Sequence, residues 1–300
     1  RPWQVWQANR MDARQHGIHR SVLGFGAAYT VVLPGKPLPV ITPFSPRRMT
    51  ALYEDPVNDE WPIFAIEDSQ ENTRDGKRRV VRVYDEQARY TLVGKPDGSQ
   101  LETAGADWVM EHNLGVCPVV RYVNSMDLDG DGVVGEVEPL IEAQDQLNMT
   151  TFNLLMAQQY AAFRQRWVTG MAPPLDDQGN PIEPFRVAVD RLLVAEDPDT
   201  KFGEFDQTDL KGYLDSLEAT IKHIATVSQV PPYHLLGDLV NLSAEALAAA
   251  RDGLDRKTEE RESLCGESHE QTLRLAGLAM GDEEAWQDTE AQVVWRDTSA

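Results

Sequence analysis

Basic residues are in short supply: 28 Lys and Arg against 49 Asp and Glu leave a formal net charge of −21. Such an excess repels phosphate. It excludes a protein that grips nucleic acid tightly over a broad face, yet leaves room for a duplex that passes without sticking. Cysteine is nearly absent. Cys117 and Cys265 lie far apart, which excludes a disulfide-dense scaffold; two reduced thiols of a cytosolic protein are expected, with one disulfide as the alternative. No run of 18 apolar residues occurs, so no membrane span is expected. A basic-then-apolar leader of the secretory kind is also missing. The chain starts at Arg1 rather than Met, and its closing AQVVWRDTSA reads as a strand without its partner. An interior piece of a longer chain is the expectation.

Catalytic patterns are missing too. Gly35-Lys36-Pro37 and Gly94-Lys95-Pro96 lack the spacing of a phosphate-cradling loop, and GFGAAY at 24–29 lacks the third glycine of a dinucleotide fingerprint. No nucleotide-hydrolysing site is therefore expected. His16, His19, His112, His223, His234 and His269 show no zinc spacing. His16 and His19 are expected to flank a helix end, and His223 to be exposed. No nucleophile elbow is present, and carboxylates are so numerous that a pair of them carries no information. Trp3 and Trp6 share a helix face, whereas Trp61, Trp108 and Trp167 are scattered. Basic residues are not interleaved with them, so packing is expected rather than base stacking. A protein that is not an enzyme is the expectation.

What is present is an α+β order of elements. With 300 residues, 41% hydrophobic, the chain suffices for one large domain or two to three small ones. Residues 3–16 read as a helix stopped by Gly17, and 20–33 as a strand with a bend at its glycines. Residues 38–124 read as antiparallel β: VITPF, FAIED, RRVVRVYD, ARYTLVG and CPVVRYVN are separated by turn signals such as KPDGSQ. Residues 139–168 hold no Gly or Pro after Pro139, which suits a first helical turn. Leu140, Ala143, Leu147, Leu154 and Ala161 keep to one stripe of that helix. Residues 171–206 read as irregular, with FRVAVDRLLVA a strand candidate. A helix over 209–228 carries a seam of Leu210, Leu214, Leu217, Ile221 and Ile224. The Pro231-Pro232 pair ends it. Ser243 is expected to cap a last helix running to about residue 280, with bends at Gly253 and Gly266 and a stop at Gly281. Helices this long suit a column built from many copies better than one small domain.

One motif points elsewhere. DLDGDGVVGEVE at 127–138 places Asp127, Asp129, Asp131 and Glu138 at the first, third, fifth and twelfth positions of a calcium loop, with Gly132 at the sixth. The context is wrong for such a hand. The preceding GVCPVVRYVN is β-like, Pro139 follows Glu138 at once, and no second hand exists. Two readings stand: a Ca2+ site, or an acidic turn that delivers a strand into a helix whose N-terminus favours Glu136 and Glu138.

EVEPLIEAQDQLNMTTFNLLMAQQYAAFRQRWVTG at 136–170 resembles the portal proteins of tailed double-stranded DNA phages of the siphovirus type. DPDTKFGEFDQTDLKGYLDSLEATIKHIATVSQVPPYHLLGDLVNLSAEALAAA at 197–250 and the closing VVWRDT look like the same family, in the same order. The resemblance implies a ring-forming portal fold. Its parts would be a β-rich wing at 1–135, a first stem helix at 136–169, a small α/β clip at 170–208 and a second stem helix at 209–228. A tunnel loop at 229–243 and a long kinked wing helix with a returning strand at 244–300 would follow. The DNA-facing loop would comprise Val230, Pro231, Pro232, Tyr233, His234, Leu235, Leu236, Gly237, Asp238, Leu239, Val240 and Asn241. Implied partners are further copies in a ring, typically a dodecamer, and the terminase large subunit. A head–tail connector or adaptor, the major capsid and scaffold proteins, and double-stranded DNA passing without sequence preference complete the set. The implied place is the portal vertex of the virion, after assembly in the host cytoplasm, with no membrane contact. No cofactor is implied; Ca2+ enters only if the 127–138 loop binds it.

Overall fold

The structure is a computed structural model that describes residues 2–73, 76–94, 100–126, 128, 133–162, 166–170, 176–179, 198–204, 209–237 and 244–296. Helix α1 (Pro2–Ala8) stops where Arg10 turns left-handed, and α2 (Met11–Phe25) restarts at once. The stop expected at Gly17 does not occur, and the strand expected from residue 20 begins only at Ala27. The reason is periodicity: Met11, Ile18 and Val22 recur on one face and are buried, which outweighs the roughly 1 kcal/mol a mid-helix glycine costs. Gly17 itself sits on the open side. The chain turns at Gly26, whose φ of 85° closes α2 through an N–H bond to the Val22 carbonyl at 2.8 Å. A side chain there would also strike the Val133 carbonyl. His16 and His19 consequently lie inside α2 rather than at its end.

The chain divides into two compact units, Arg1–Glu142 with Ile224–Ala300, and Ala143–His223. The first unit is layered. Strands β1 (Ala27–Leu33), β2 (Val40–Phe44) and β9 (Val119–Val123) form an antiparallel sheet in the order β2-β1-β9. Strands β3 (Met49–Leu52), β4 (Phe64–Thr73), β5 (Gly76–Tyr84), β6 (Ala88–Gly94), β7 (Leu101–Thr103) and β8 (Val109–Glu111) form a second, also antiparallel, as the turn signals suggested. β1 is buried almost throughout because both of its faces are covered. Ala28 and Val32 pack with Val5, Trp6, Ile18 and Leu275 on one side, while Tyr29 and Val31 pack with Met49, Ala65, Tyr84 and Cys117 on the other. The small sheet is thus the middle layer between helices and the larger sheet.

The helical layer is closed by α6 (Ala244–Met280), 37 residues long and therefore about 55 Å. It runs unbroken through Gly253 and Gly266 and stops at Gly281, whose φ is 72°. Its C-terminal half is buried through Cys265, Ser268, His269, Thr272, Leu275 and Ala276. A short α7 (Glu283–Gln287) follows. The returning strand expected at the end pairs with no sheet among the described residues. Val293 and Trp295 point inward and Val294 outward, a two-residue alternation docked on α6 instead: the Val293 N–H meets Glu270 at 2.7 Å, and Trp295 lies against His19 and His269. Both cysteines are free and buried, so the disulfide alternative falls.

A chain of polar groups crosses this core. His19 Nε2 lies 3.0 Å from His269 Nε2, His269 Nδ1 lies 3.1 Å from the Tyr122 hydroxyl, and that hydroxyl lies 2.8 Å from Thr272 Oγ1. Thr272 donates to the Ser268 carbonyl at 2.8 Å and also meets Thr30 Oγ1 at 2.9 Å. Since the Thr272 proton is committed to that carbonyl, Tyr122 and Thr30 must both donate to Thr272. His269 then donates from Nδ1 to Tyr122, and its Nε2 accepts from His19. Each buried polar atom is satisfied only while His269 is neutral.

The second unit holds most of α3 (Ile141–Ala162) and α4 (Lys211–Ser228), and a hairpin-like pair, β10 (Arg166–Thr169) with β11 (Lys201–Glu204). Pro139 sits in a 3-10 turn (Glu138–Leu140) that leads into α3, as its missing N–H favours. The helix expected to reach residue 168 is described to Ala162 and has given way to strand by Arg166, because Trp167, Val168 and Thr169 are strand formers and pair with β11. Gly203 is required opposite them, since a Cβ there would collide with the Trp167 indole. The strand candidate at 185–195 and the Ser243 cap lie outside the described residues.

Candidate functional site

The segment after α4 is built from two left-handed turns around a short helix. Gln229 has φ 57°, its N–H bonds the Thr226 carbonyl at 3.2 Å, and the Val230 N–H bonds the Ala225 carbonyl at 3.0 Å. That is a Schellman cap with glutamine where glycine is usual. Pro231, extended and buried, sets up α5 (Pro232–Leu236), which accepts proline in its first turn. Gly237, φ 74°, closes α5 through a bond to the Tyr233 carbonyl at 3.0 Å. Within the stretch for which the resemblance implies a loop, residues 230–237 hold a capped helical turn. Tyr233 and His234 rings lie 4.5 Å apart, and Leu235 is 47% exposed. Asp238, Leu239, Val240 and Asn241 lie outside the described residues.

Replacing Gln229 by glycine should stabilise this turn by roughly 0.5 kcal/mol, the left-handed penalty of about 1 kcal/mol less the freedom glycine adds to the unfolded chain. Slower hydrogen exchange at the Val230 amide would show it; faster exchange would refute it.

One side-chain cluster holds the start of this segment and the lead into α3. Lys257 of α6 donates to the Ser228 carbonyl at 2.9 Å, which satisfies the C-terminal end of α4, and pairs with Glu136. Arg261, one turn further along α6, bonds the same Glu136 carboxylate at 3.0 Å. The Glu136 N–H reaches the Leu23 carbonyl at 2.8 Å, and Asn124 reaches the Val134 carbonyl at 3.0 Å. Burial works against the Glu136 charge, but the bonds from Lys257, Arg261 and Asn124 outweigh it and hold the carboxyl below the usual range. α6 thus clamps two chain crossings with two cations and one anion. Sequence reasoning missed this clamp; its one trace is Lys257 and Arg261 four residues apart on an otherwise acidic helix.

The helices leave apolar surface uncovered in the single chain. On α3 the described part of the expected stripe is the shielded one, with Leu154 buried and Leu140, Ala143 and Leu147 half-buried, while the Ala161 side chain lies outside the described residues. Met149, Phe152 and Leu155, on the opposite face, are 61%, 57% and 58% exposed. On α4, Leu217, Ile221 and Ile224 are half-buried as expected, but Leu214 is 54% exposed, and Thr220 and Ala225 are the buried positions. His223 is exposed, as expected.

The calcium reading finds little to stand on. Asp127, Asp129 and Asp131 lie outside the described residues, and exposed Glu138 opens the 3-10 turn before α3. Among the described residues no three His, Cys, Asp or Glu side chains gather to hold a metal, and no helix is long and apolar enough to cross a membrane.

Residues 1–299 match the family described as phage portal protein, SPP1 Gp6-like. The chain belongs to that portal family. Curated relatives agree: the portal proteins of Mycobacterium phage L5 and Mycobacterium phage D29 are each 24% identical over 314 aligned positions, covering 99% of this chain. The chain spans 62% of the length of those relatives. This portal-family chain is a mixed helix and sheet protein among its described residues.

Proposed function

We propose that this chain is the subunit of a phage portal, a ring at one capsid vertex through which DNA is packaged and ejected. On this reading residues 1–135 form the β-rich wing, 136–169 and 209–228 the stem helices, 170–208 the clip, 229–243 the tunnel loop, and 244–300 the wing helix and its return. The observation that carries the reading is the second apolar face of α3. Met149, Phe152 and Leu155 stand exposed opposite a shielded stripe, and each would gain on the order of 1 to 2 kcal/mol on burial against a neighbouring copy. A closed ring of identical subunits, a dodecamer in this proposal, supplies that neighbour to every copy.

A ring of subunits each of net charge −21 presents a strongly acidic object, and a bore sharing that charge repels the phosphate backbone from all sides. The duplex can then slide, touched by the apolar Leu235 and Leu236 rather than held by salt links. The terminase large subunit would dock at the clip and supply the work of packaging, and a connector or adaptor would replace it there. Capsid and scaffold proteins would surround the wing of a portal assembled in the host cytoplasm. The Asp127–Glu138 loop serves as a connector into the stem and needs no Ca2+; calorimetry at millimolar calcium should register no binding heat.

The test is light scattering and electron microscopy of the purified chain. Rings with a central opening are expected, and monodisperse particles of 33.6 kDa would overturn the proposal. A finer expectation concerns the loop. Leu235→Asp with Leu236→Asp should lower the DNA packaged per capsid while rings still form, whereas normal packaging would remove the loop from the channel.

A further inference from the structure

We propose that the cleft between the two sheets of the first unit binds an acidic side chain of a separate protein, inserted together with an adjoining apolar residue. The cleft has a volume of about 280 Å³ and is walled by apolar residues that include Val31, Leu33, Phe44 and Met110, with Glu67, Arg82, Tyr84 and Arg89 among its polar lining. The charges there are not equally engaged. Glu67, nearly inaccessible to solvent, accepts from Arg82 at 2.9 Å, from Tyr84 at 2.8 Å and from Ser69 at 2.8 Å. Arg82 is likewise occupied, by Glu67 and Glu71. Arg89 is different. Its Nε is buried without an acceptor, and no described carboxylate lies within ion-pair reach of its guanidinium.

A half-buried guanidinium without a counter-ion is unfavourable, and a carboxylate offering two oxygens is its geometric complement. The volume decides the rest. It is too small for a nucleotide or a large cofactor and fits one or two side chains. The apolar walls then ask for an aliphatic or aromatic neighbour beside the acid. Burial singles the place out further: among the described residues Arg20, Arg47 and Arg78 also make no ion pair but are exposed to water, whereas the Arg89 Nε is shut away from it. This goes beyond the channel function, since the cleft lies in the β layers and involves none of the stem or loop residues.

The experiment uses the full chain and a fluorescein-labelled, C-terminally amidated peptide, Ser-Gly-Leu-Glu-Phe-Gly-Ser, with a twin carrying Gln in place of Glu. Fluorescence anisotropy should show the Glu peptide binding at least tenfold more tightly than the twin. Arg89→Met should abolish that preference, and Arg89→Lys should lose most of it because an ammonium makes no paired bonds. Arg78→Met, at an exposed position of β5, should leave it intact. Thermal melts of each variant separate lost binding from lost folding. Equal binding of the twins, or a preference that survives Arg89→Met in a folded protein, overturns the proposal. So does displacement of the peptide by a short DNA duplex. A change in subunit number on Arg89→Met overturns it too, since the occupant would then be another copy of this chain.

Discussion

Acidifying the protein from pH 7 to pH 4 should cost its first unit roughly 3 kcal/mol of stability through His269 alone. Burial, and then the neighbouring His19, push the His269 pKa down from 6.5 to about 3. A base depressed in this way is neutral in both states above pH 6.5. As the pH falls below that value the unfolded chain takes up the proton and the folded one does not. Stability is therefore complete above pH 6.5 and drains away between pH 6.5 and about 3, at close to 1.4 kcal/mol per pH unit. The structural cause is the direction of the proton chain. His269 donates to Tyr122 and accepts from His19, so a second proton on its ring would face the His19 N–H with nowhere to go.

Urea midpoints read by tryptophan fluorescence test this directly, because Trp6 and Trp295 lie 5.1 and 6.1 Å from the His269 ring. His269→Gln lowers stability at neutral pH but should flatten the slope between pH 6.5 and 4.5 relative to the parent. Two other histidines, His19 and His112, are also depressed by burial and leave a residual slope in both proteins. The carboxylates act elsewhere on the scale. Asp68 is held low by Arg79, and Asp85 and Glu136 are held low by hydrogen bonds that overcome their burial. Their contribution is present above about pH 4 and is lost below it. Parallel slopes for parent and variant over the upper window would remove His269 as the acid-sensitive group.

The contrast between what could and could not be read in the sequence follows from distance along the chain. Antiparallel strands β4 to β6 were legible because each is joined to the next by a short turn and their paired residues lie close in sequence. The end of α4 was legible because Pro231 and Pro232 carry the stop in their own covalent structure. The C-terminal end of α6 was legible to within a residue because Gly281 adopts a left-handed conformation few other residues accept. Misreadings arose where a local signal lost to a tertiary one. Gly17 signals a break, yet Met11, Ile18 and Val22 bury the same helix across it. Val293 and Trp295 alternate like a strand, but the surface they meet is α6. Contacts such as His19 with His269, 250 residues apart, or Arg261 with Glu136, 125 apart, leave no trace in either local pattern. The segment from Val230 to Gly237 lies between these cases: its prolines were visible, while the left-handed turn that leads into it depends on carbonyls of the preceding helix.

Removing the clamp carboxylate, Glu136→Ala, should destabilise the first unit by about 2 kcal/mol. A fully buried ion pair broken on one side costs about 3 to 5 kcal/mol, but the Lys257, Arg261 and Glu136 side chains retain 14%, 19% and 23% exposure, so solvent screens part of the loss. The loss should not be spread evenly. Lys257 holds Ser228 as well as Glu136, so freeing it weakens its bond to the last carbonyl before the Gln229 turn. Amides of residues 229–237 should then exchange roughly thirtyfold faster, the equivalent of 2 kcal/mol if their opening follows the clamp. Those of the β4–β5 ladder should change little. Adding Lys257→Met to Glu136→Ala should recover part of the loss, since the stranded ammonium is gone and an apolar side chain of similar length takes its place. If exchange in 229–237 is unaltered while global stability falls, Glu136 is a structural ion-pair residue only. If both move together, the lead into α3 and residues 229–237 answer to the same three charges of Glu136, Lys257 and Arg261, and a shift of α6 would reach both.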